Sequence, residues 1–260
     1  MQPYIVHAPK GSPIAVVASI PHSGEQVPEA MQAQLSPALR HCLINTDWFL
    51  PEVYAFLPAL GVTMIEATHS RYVADPNRDP ERAHFGPFFR AVVAEHTAGG
   101  LPVYATAPTS SEVAQRVAHF HGGYHAQLSA SLAEARARFG KVLLLDLHSF
   151  MGPSDDDVCL GDAHGKSAAP AVTGVFAQAL RARDFGVVSN APFSGGYVVR
   201  HHGDASQVHA LQIELRYTNY LDCARIELDR PSFDPARTLA LQARLRPALE
   251  EALARALEQL

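Results

Sequence analysis

The strongest constraint on this chain is a set of apolar runs that each end on an ionisable side chain. Ile14-Ala-Val-Val-Ala-Ser-Ile20 leads into the turn Pro21-His22-Ser23-Gly24-Glu25, Val142-Leu-Leu-Leu-Asp-Leu147 ends on His148, and Ala210-Leu-Gln-Ile213 ends on Glu214. Nearly continuous apolar runs of this length read as strands covered on both faces, as in a parallel sheet. Val62-Thr-Met-Ile-Glu-Ala-Thr68 and Gly186-Val-Val-Ser189 complete the predicted set.

Helical patterns lie between these runs. Thr109 and Glu112 form a capping box ahead of 113–120. Gly122-Gly123 predicts a break or kink, with the helix resuming through 124–139 until Gly140 stops it. Ser167 opens a helix to about Arg183, and Asp234-Pro235 opens a long C-terminal helix that Pro247 is expected to kink. Strands alternating with helices predict an α/β fold with a mostly parallel sheet, as one domain over 1–260. In such sheets ligands bind beyond the carboxyl ends of the strands, so His22, His148 and Glu214 can converge although they are distant in sequence. The stretch 75–108, rich in Pro and Gly and weakly periodic, predicts an irregular excursion over that active face.

Composition narrows the function. A chain of 260 residues with 47% hydrophobic and 18% charged residues can bury a substantial core. A net charge of −5 with no basic stripe argues against nucleic acid as a partner, and no apolar stretch is long enough for a membrane span. The first residues lack a signal-peptide pattern. Cys42, Cys159 and Cys223 are far apart, which argues against a disulfide framework or a four-cysteine zinc site and predicts a cytoplasmic protein.

Histidine is abundant, at 14 residues, and its placement carries the chemistry. A catalytic zinc takes three protein ligands, commonly His and carboxylate, and leaves a position for water. His22 and His148 are the predicted imidazole ligands of one Zn2+ ion, with other divalent metals as substitutes. Asp47 and Glu25 are alternatives for the third ligand: Asp47 opens a helical segment at Thr46-Asp47-Trp48, and Glu25 completes a His22-x-x-Glu25 spacing. Glu214 interrupts a buried strand, where a carboxylate must be paired or functional, and is predicted as the general base. Arg71, Arg78 with Asn77, and Arg200 sit in Gly/Pro-rich surroundings and predict a small anionic substrate held by planar guanidinium forks. Tyr197 offers a hydroxyl to substrate, and His125 reads as a helix-face residue. Ser23 and Ser149 adjoin the two histidines without a G-x-S-x-G elbow, and the H-E-x-x-H, Walker A and G-x-G-x-x-G motifs are absent.

In order along the chain, Ile20-Pro-His-Ser-Gly24, Thr46-Asp-Trp48, Ser70-Arg-Tyr-Val73 with Asn77-Arg78, Asp146-Leu-His-Ser149, Gly195-Gly-Tyr197 with Arg200-His201, and His209-Ala-Leu-Gln-Ile-Glu214 resemble the N-formylglutamate amidohydrolase (deformylase) family over about 13–222. The resemblance implies a three-layer α/β/α architecture with a mostly parallel mixed sheet, similar to zinc carboxypeptidases and zinc muramoyl-alanine amidases. It implies hydrolysis of N-formyl-L-glutamate to formate and L-glutamate in histidine degradation. It also implies His22 and His148 as metal ligands and Glu214 as the catalytic carboxylate. Arg71 and Asn77-Arg78 would bind the substrate carboxylate and polarise its carbonyl. For the third ligand it favours Asp47 over Glu25. One stretch departs from the family pattern: 79–101 lacks the Gly-Gln-Asn and Thr-Gly-Leu segments, so another N-acyl amino acid is an alternative substrate. A carboxypeptidase or muramoyl amidase activity, and a non-catalytic metal- or carboxylate-binding role, are the competing readings.

Overall fold

The computed structural model describes residues 2–224, 226 and 229–260. Its strands are β1 (Tyr4–His7), β2 (Val16–Ile20), β3 (Thr63–Ala67), β4 (Phe85–Gly86), β5 (Val93–Ala94), β6 (Val142–Phe150), β7 (Val158–Gly161), β8 (Val187–Ser189) and β9 (Val208–Arg216). Its helices are α1 (Glu29–Gln32), α2 (Pro37–His41), α3 (Leu50–Val53), α4 (Ser110–Arg116), α5 (Gly122–Phe139), α6 (Pro170–Arg181), α7 (Tyr197–His202) and α8 (Pro235–Leu257).

Seven strands form one mixed sheet in the order β1-β3-β2-β6-β9-β7-β8. The inner strands β3, β2, β6 and β9 are parallel, as the five apolar runs predict. The two strands that run antiparallel to their neighbours, β1 against β3 and β7 against β9, are the ones the sequence reading did not predict. Helices cover both faces, giving the expected α/β/α layers. Val16, Ala18, Ile20, Leu143, Leu145, Leu147, Leu211 and Ile213 face a core shared with α6 and α8. Val17, Leu144 and Ala210 face the other way, onto Tyr124, Leu128 and Leu132 of α5.

Two local differences have physical causes. Gly122-Gly123 does not break the helix. The chain passes through a single wide turn at Val117–His121 and continues, and Gly123 is small because a Cβ there would press on Pro3 at 2.9 Å. Helix α6 starts at Pro170 rather than Ser167, because the Ser167 hydroxyl donates to Ala210 O at 2.8 Å and so braces β9. Helix α8 holds Pro247 within it, as expected, and is capped by Asp234 Oδ1, which accepts from the Ala236 and Arg237 amides at 3.0 Å. Its stripe Leu241, Leu245, Leu249 and Leu253 is buried, and such packing rather than propensity holds a helix together.

Between β3 and α4 the chain leaves the sheet. The short pair β4–β5, with Tyr72, Val73, Phe88, Val92 and Val103, builds small apolar clusters of its own. No helix among the described residues is long and apolar enough to cross a membrane.

Candidate active site

On the α5 side of the sheet, side chains change character along the strands. The row Val17, Leu144, Ala210 is apolar, and the next row toward the carboxyl ends is Ser19, Asp146, Gln212. The last row holds His148 on β6 directly beside Glu214 on β9. Period-two alternation puts these on one face, and adjacent strands are about 4.8 Å apart, so His148 and Glu214 are neighbours by register alone. All five polar side chains of these two rows are buried.

His22 sits two residues beyond β2. Its turn is stitched to the loop carrying Asp47: the Asp47 amide donates to His22 O at 3.1 Å, and the Ser23 hydroxyl donates to Asp47 O at 2.6 Å. Gly24 allows the turn to press on the His69 backbone, where a Cβ would collide. The Ser149 amide donates to Asp47 Oδ2 at 3.2 Å. Ser23 therefore braces the Asp47 loop through its hydroxyl, and Ser149 orients the Asp47 carboxylate through its amide.

Ligand atoms of His22, Asp47 and His148 all lie within 4.8 Å of one another, and all three residues are buried. Asp47 Oδ2 stands 3.0 Å from His148 Nδ1 and 3.7 Å from His22 Nδ1. The opposite nitrogens are held by further carboxylates: His148 Nε2 donates to Asp146 Oδ2 at 2.9 Å, and His22 Nε2 donates to Asp75 Oδ1 at 2.6 Å. Carboxylates behind both imidazoles fix each ring's tautomer and orientation, the arrangement that metal-ligating histidines adopt. Two imidazoles and a carboxylate with one converging focus can bind a metal ion.

Electrostatics agree with that reading. Burial alone would raise the pKa of Asp47, but hydrogen bonds from His148 and His22 hold it below the usual carboxylate range. Burial opposes protonation of His148, yet Asp146 lifts it well above the ordinary imidazole value. Burial pushes Glu214 up to about 7, against the lowering influence of His148. Its Oε1 accepts from Gln212 Nε2 at 2.7 Å, and Gln212 Oε1 accepts from the Gly196 amide at 2.7 Å.

A cavity opens over the cluster, lined by His22, Asp47, Arg71, Asn77, Arg78, His148, Gln212 and Glu214 among others. Arg71 gives Nε and Nη2 to Asp75 Oδ2 at 3.1 and 2.7 Å, so much of its fork is engaged by protein. Asn77 Oδ1 accepts from the Val198 amide at 2.8 Å, and Gly196 permits this packing because a Cβ there would strike the Asn77 side chain. The structure does not bring Glu25, Tyr197 or Arg200 to the cavity lining. Glu25 pairs with Arg230 at 2.6 and 2.7 Å on the surface. Tyr197 stacks on His201, and Arg200 donates to Gly195 O and the Ser194 hydroxyl, both at 2.9 Å.

Three site residues had no role in the sequence reading. Asp146 and Gln212 are each two positions before a predicted functional residue on the same strand, hence on the same face, and that spacing is readable. Asp75 gave no local signal. It reaches His22 only because the chain turns back after β3.

Buried carboxylates and imidazoles meet at the carboxyl ends of parallel strands, under a cavity that presents arginines, an arrangement that can hold a metal ion and activate water. The N-formylglutamate amidohydrolase family matches residues 14–221, and the chain belongs to that family. It is 32% identical over 221 residues to the N-formylglutamate deformylase of Pseudomonas aeruginosa, covering 80% of this chain and 83% of that one. It is 30% identical over 224 residues to the N-formylglutamate deformylase of Pseudomonas putida, covering 80% and 82%. The crystal structure of N-formylglutamate amidohydrolase from Ralstonia eutropha superposes over 98% of both chains with a TM-score of 0.82 at 24% identity, which establishes the shared fold.

Proposed function

We propose that the chain hydrolyses the N-formyl amide of N-formyl-L-glutamate, or of a similar N-acyl amino acid, using one divalent cation held by His22, Asp47 and His148, with zinc as the first choice. The observation that carries this reading is the buried His22–Asp47–His148 cluster with Glu214 beside it on the next strand. The relatives named N-formylglutamate deformylase support the substrate. Three free cysteines suit a reducing cytoplasm.

When bound, the cation supplies a Lewis acid that polarises a carbonyl and makes water a better nucleophile. The chain's own residues do the rest. Arg78, with Asn77 behind it, orients the substrate carboxylate. Glu214, raised to about 7 by burial, accepts the proton of the attacking water and returns it to the departing nitrogen. Asp146 and Asp75 keep His148 and His22 turned toward Asp47. Metal analysis of the purified protein, together with formate release from N-formyl-L-glutamate, tests the proposal. Purified protein without bound metal and without formate release overturns it.

Two further outcomes follow. A base must be unprotonated to act, so kcat/KM should fall as pH drops through about 7, where Glu214 takes up its proton. A pH–rate profile with no acid limb near there would remove Glu214 from that role. Asp146→Asn places an amide donor where a carboxylate accepts, and so favours the tautomer with the proton on Nδ1, the nitrogen facing Asp47. Metal affinity should fall by roughly 10–100-fold, as for other partners of ligating histidines, measured by titration against a competing chelator.

A further inference from the structure

The cavity over the cluster has a volume of about 880 Å3, in the upper part of the range that encloses drug-sized ligands, roughly 300–1,000 Å3. A formylated glutamate is much smaller than such ligands, and the remaining space has a definite chemistry. Phe88 lies beneath both cavity guanidiniums, its centroid 4.7 Å from Arg71 Cζ and 5.4 Å from Arg78 Cζ. Phe89 meets Phe88 edge-on with centroids 5.1 Å apart, and it remains 72% exposed while lining the cavity. Ile44 adds apolar wall.

The charges of the site point the same way. Among the described residues, the guanidiniums lining the cavity are those of Arg71 and Arg78. Arg71 is neutralised by Asp75 at 2.7 Å and also gives Nη1 to Asn45 O at 3.3 Å. Arg78 donates to two neutral carbonyls, Phe88 O at 2.9 Å and Asn77 O at 3.0 Å, and stands 3.9 Å from the Asp75 oxygen that Arg71 already occupies. Two guanidiniums sharing one carboxylate, Asp75, leave one net positive charge between them, which suits one substrate carboxylate rather than two. An amino acid carries its α-carboxylate and its side chain on the same carbon, so a carboxylate on Arg78 sets the side chain beside Phe88 and Phe89. Both phenylalanines fall in 79–101, where the sequence departs from the family pattern.

We infer that Phe88 and Phe89 form the side-chain subsite, and that the enzyme takes N-formyl amino acids with aromatic or bulky aliphatic side chains in preference to N-formyl-L-glutamate. This rests on the deformylase reading of the site. The test is formate release from N-formyl-L-phenylalanine, N-formyl-L-glutamate and N-formylglycine by the metal-loaded wild-type enzyme and by Phe89→Ala, a substitution at an exposed ring. Wild-type kcat/KM should be higher for the phenylalanine substrate than for the glutamate substrate, by about tenfold. Phe89→Ala should lower the phenylalanine-to-glycine ratio of kcat/KM by about tenfold, through KM. An equal or greater kcat/KM for N-formyl-L-glutamate, or an equal loss on all three substrates, overturns the inference and leaves the deformylase reading standing. Formate from none of the three overturns that reading and the inference with it.

Discussion

Glu214→Gln should lower kcat for formate release by about 10²–10⁴-fold, the range associated with a positioned general base, while metal content stays at the wild-type level. Glutamine keeps the shape of the side chain and its contact with Gln212, so the change is confined to the proton acceptor. The fold should tolerate it. Glu214 is held at about 7 by burial, so the wild-type carboxylate is costly to ionise, and a neutral isostere removes that cost. Thermal melting, metal stoichiometry and single-turnover formate release separate the possibilities. A variant that retains metal and turns over within a few-fold of wild type would show that another group moves the proton.

Asp47→Ala should do more. Among the described residues, it removes the carboxylate that is paired with both imidazoles, at 3.0 and 3.7 Å. Metal should be lost on gel filtration, and formate release should fall below detection. Glu25→Ala is the matched control, since Glu25 pairs with Arg230 at the surface and stands outside the cluster. If Glu25→Ala strips the metal and Asp47→Ala does not, the ligand set is wrong, and the turn after β2 must reorganise in solution.

The fold was legible because burial writes itself into strands covered on both faces. β2, β3, β6, β8 and β9 coincide with the five apolar runs, and the Thr109–Glu112 box forms as expected, with the Thr109 amide donating to Glu112 at 2.7 Å. Strand β1 was not legible: Tyr4-Ile-Val-His is an edge strand of four residues, and its pairing with β3 is a tertiary event. Gly122-Gly123 misled because glycine marks both helix ends and close packing, and local sequence does not distinguish them. At the site, His22, His148 and Glu214 were visible because each interrupts or ends an apolar run. Tyr197 and Arg200 were read as facing substrate because a glycine-rich loop is often functional. In the structure Tyr197 packs among His121, His125 and His201, Arg200 is exposed, and Gly195 and Gly196 line the cavity instead.

By itself, the sequence determined which segments are buried strands and which ionisable groups stand at their ends, because strand burial and side-chain alternation are properties of neighbouring residues. Only the tertiary structure decided that Asp47, rather than Glu25, shares a focus with the two imidazoles, and that Asp75 and Asp146 stand behind them. Those pairings join residues as far as 101 positions apart, His148 to Asp47. Strand order and loop path set such distances, and no local pattern encodes them.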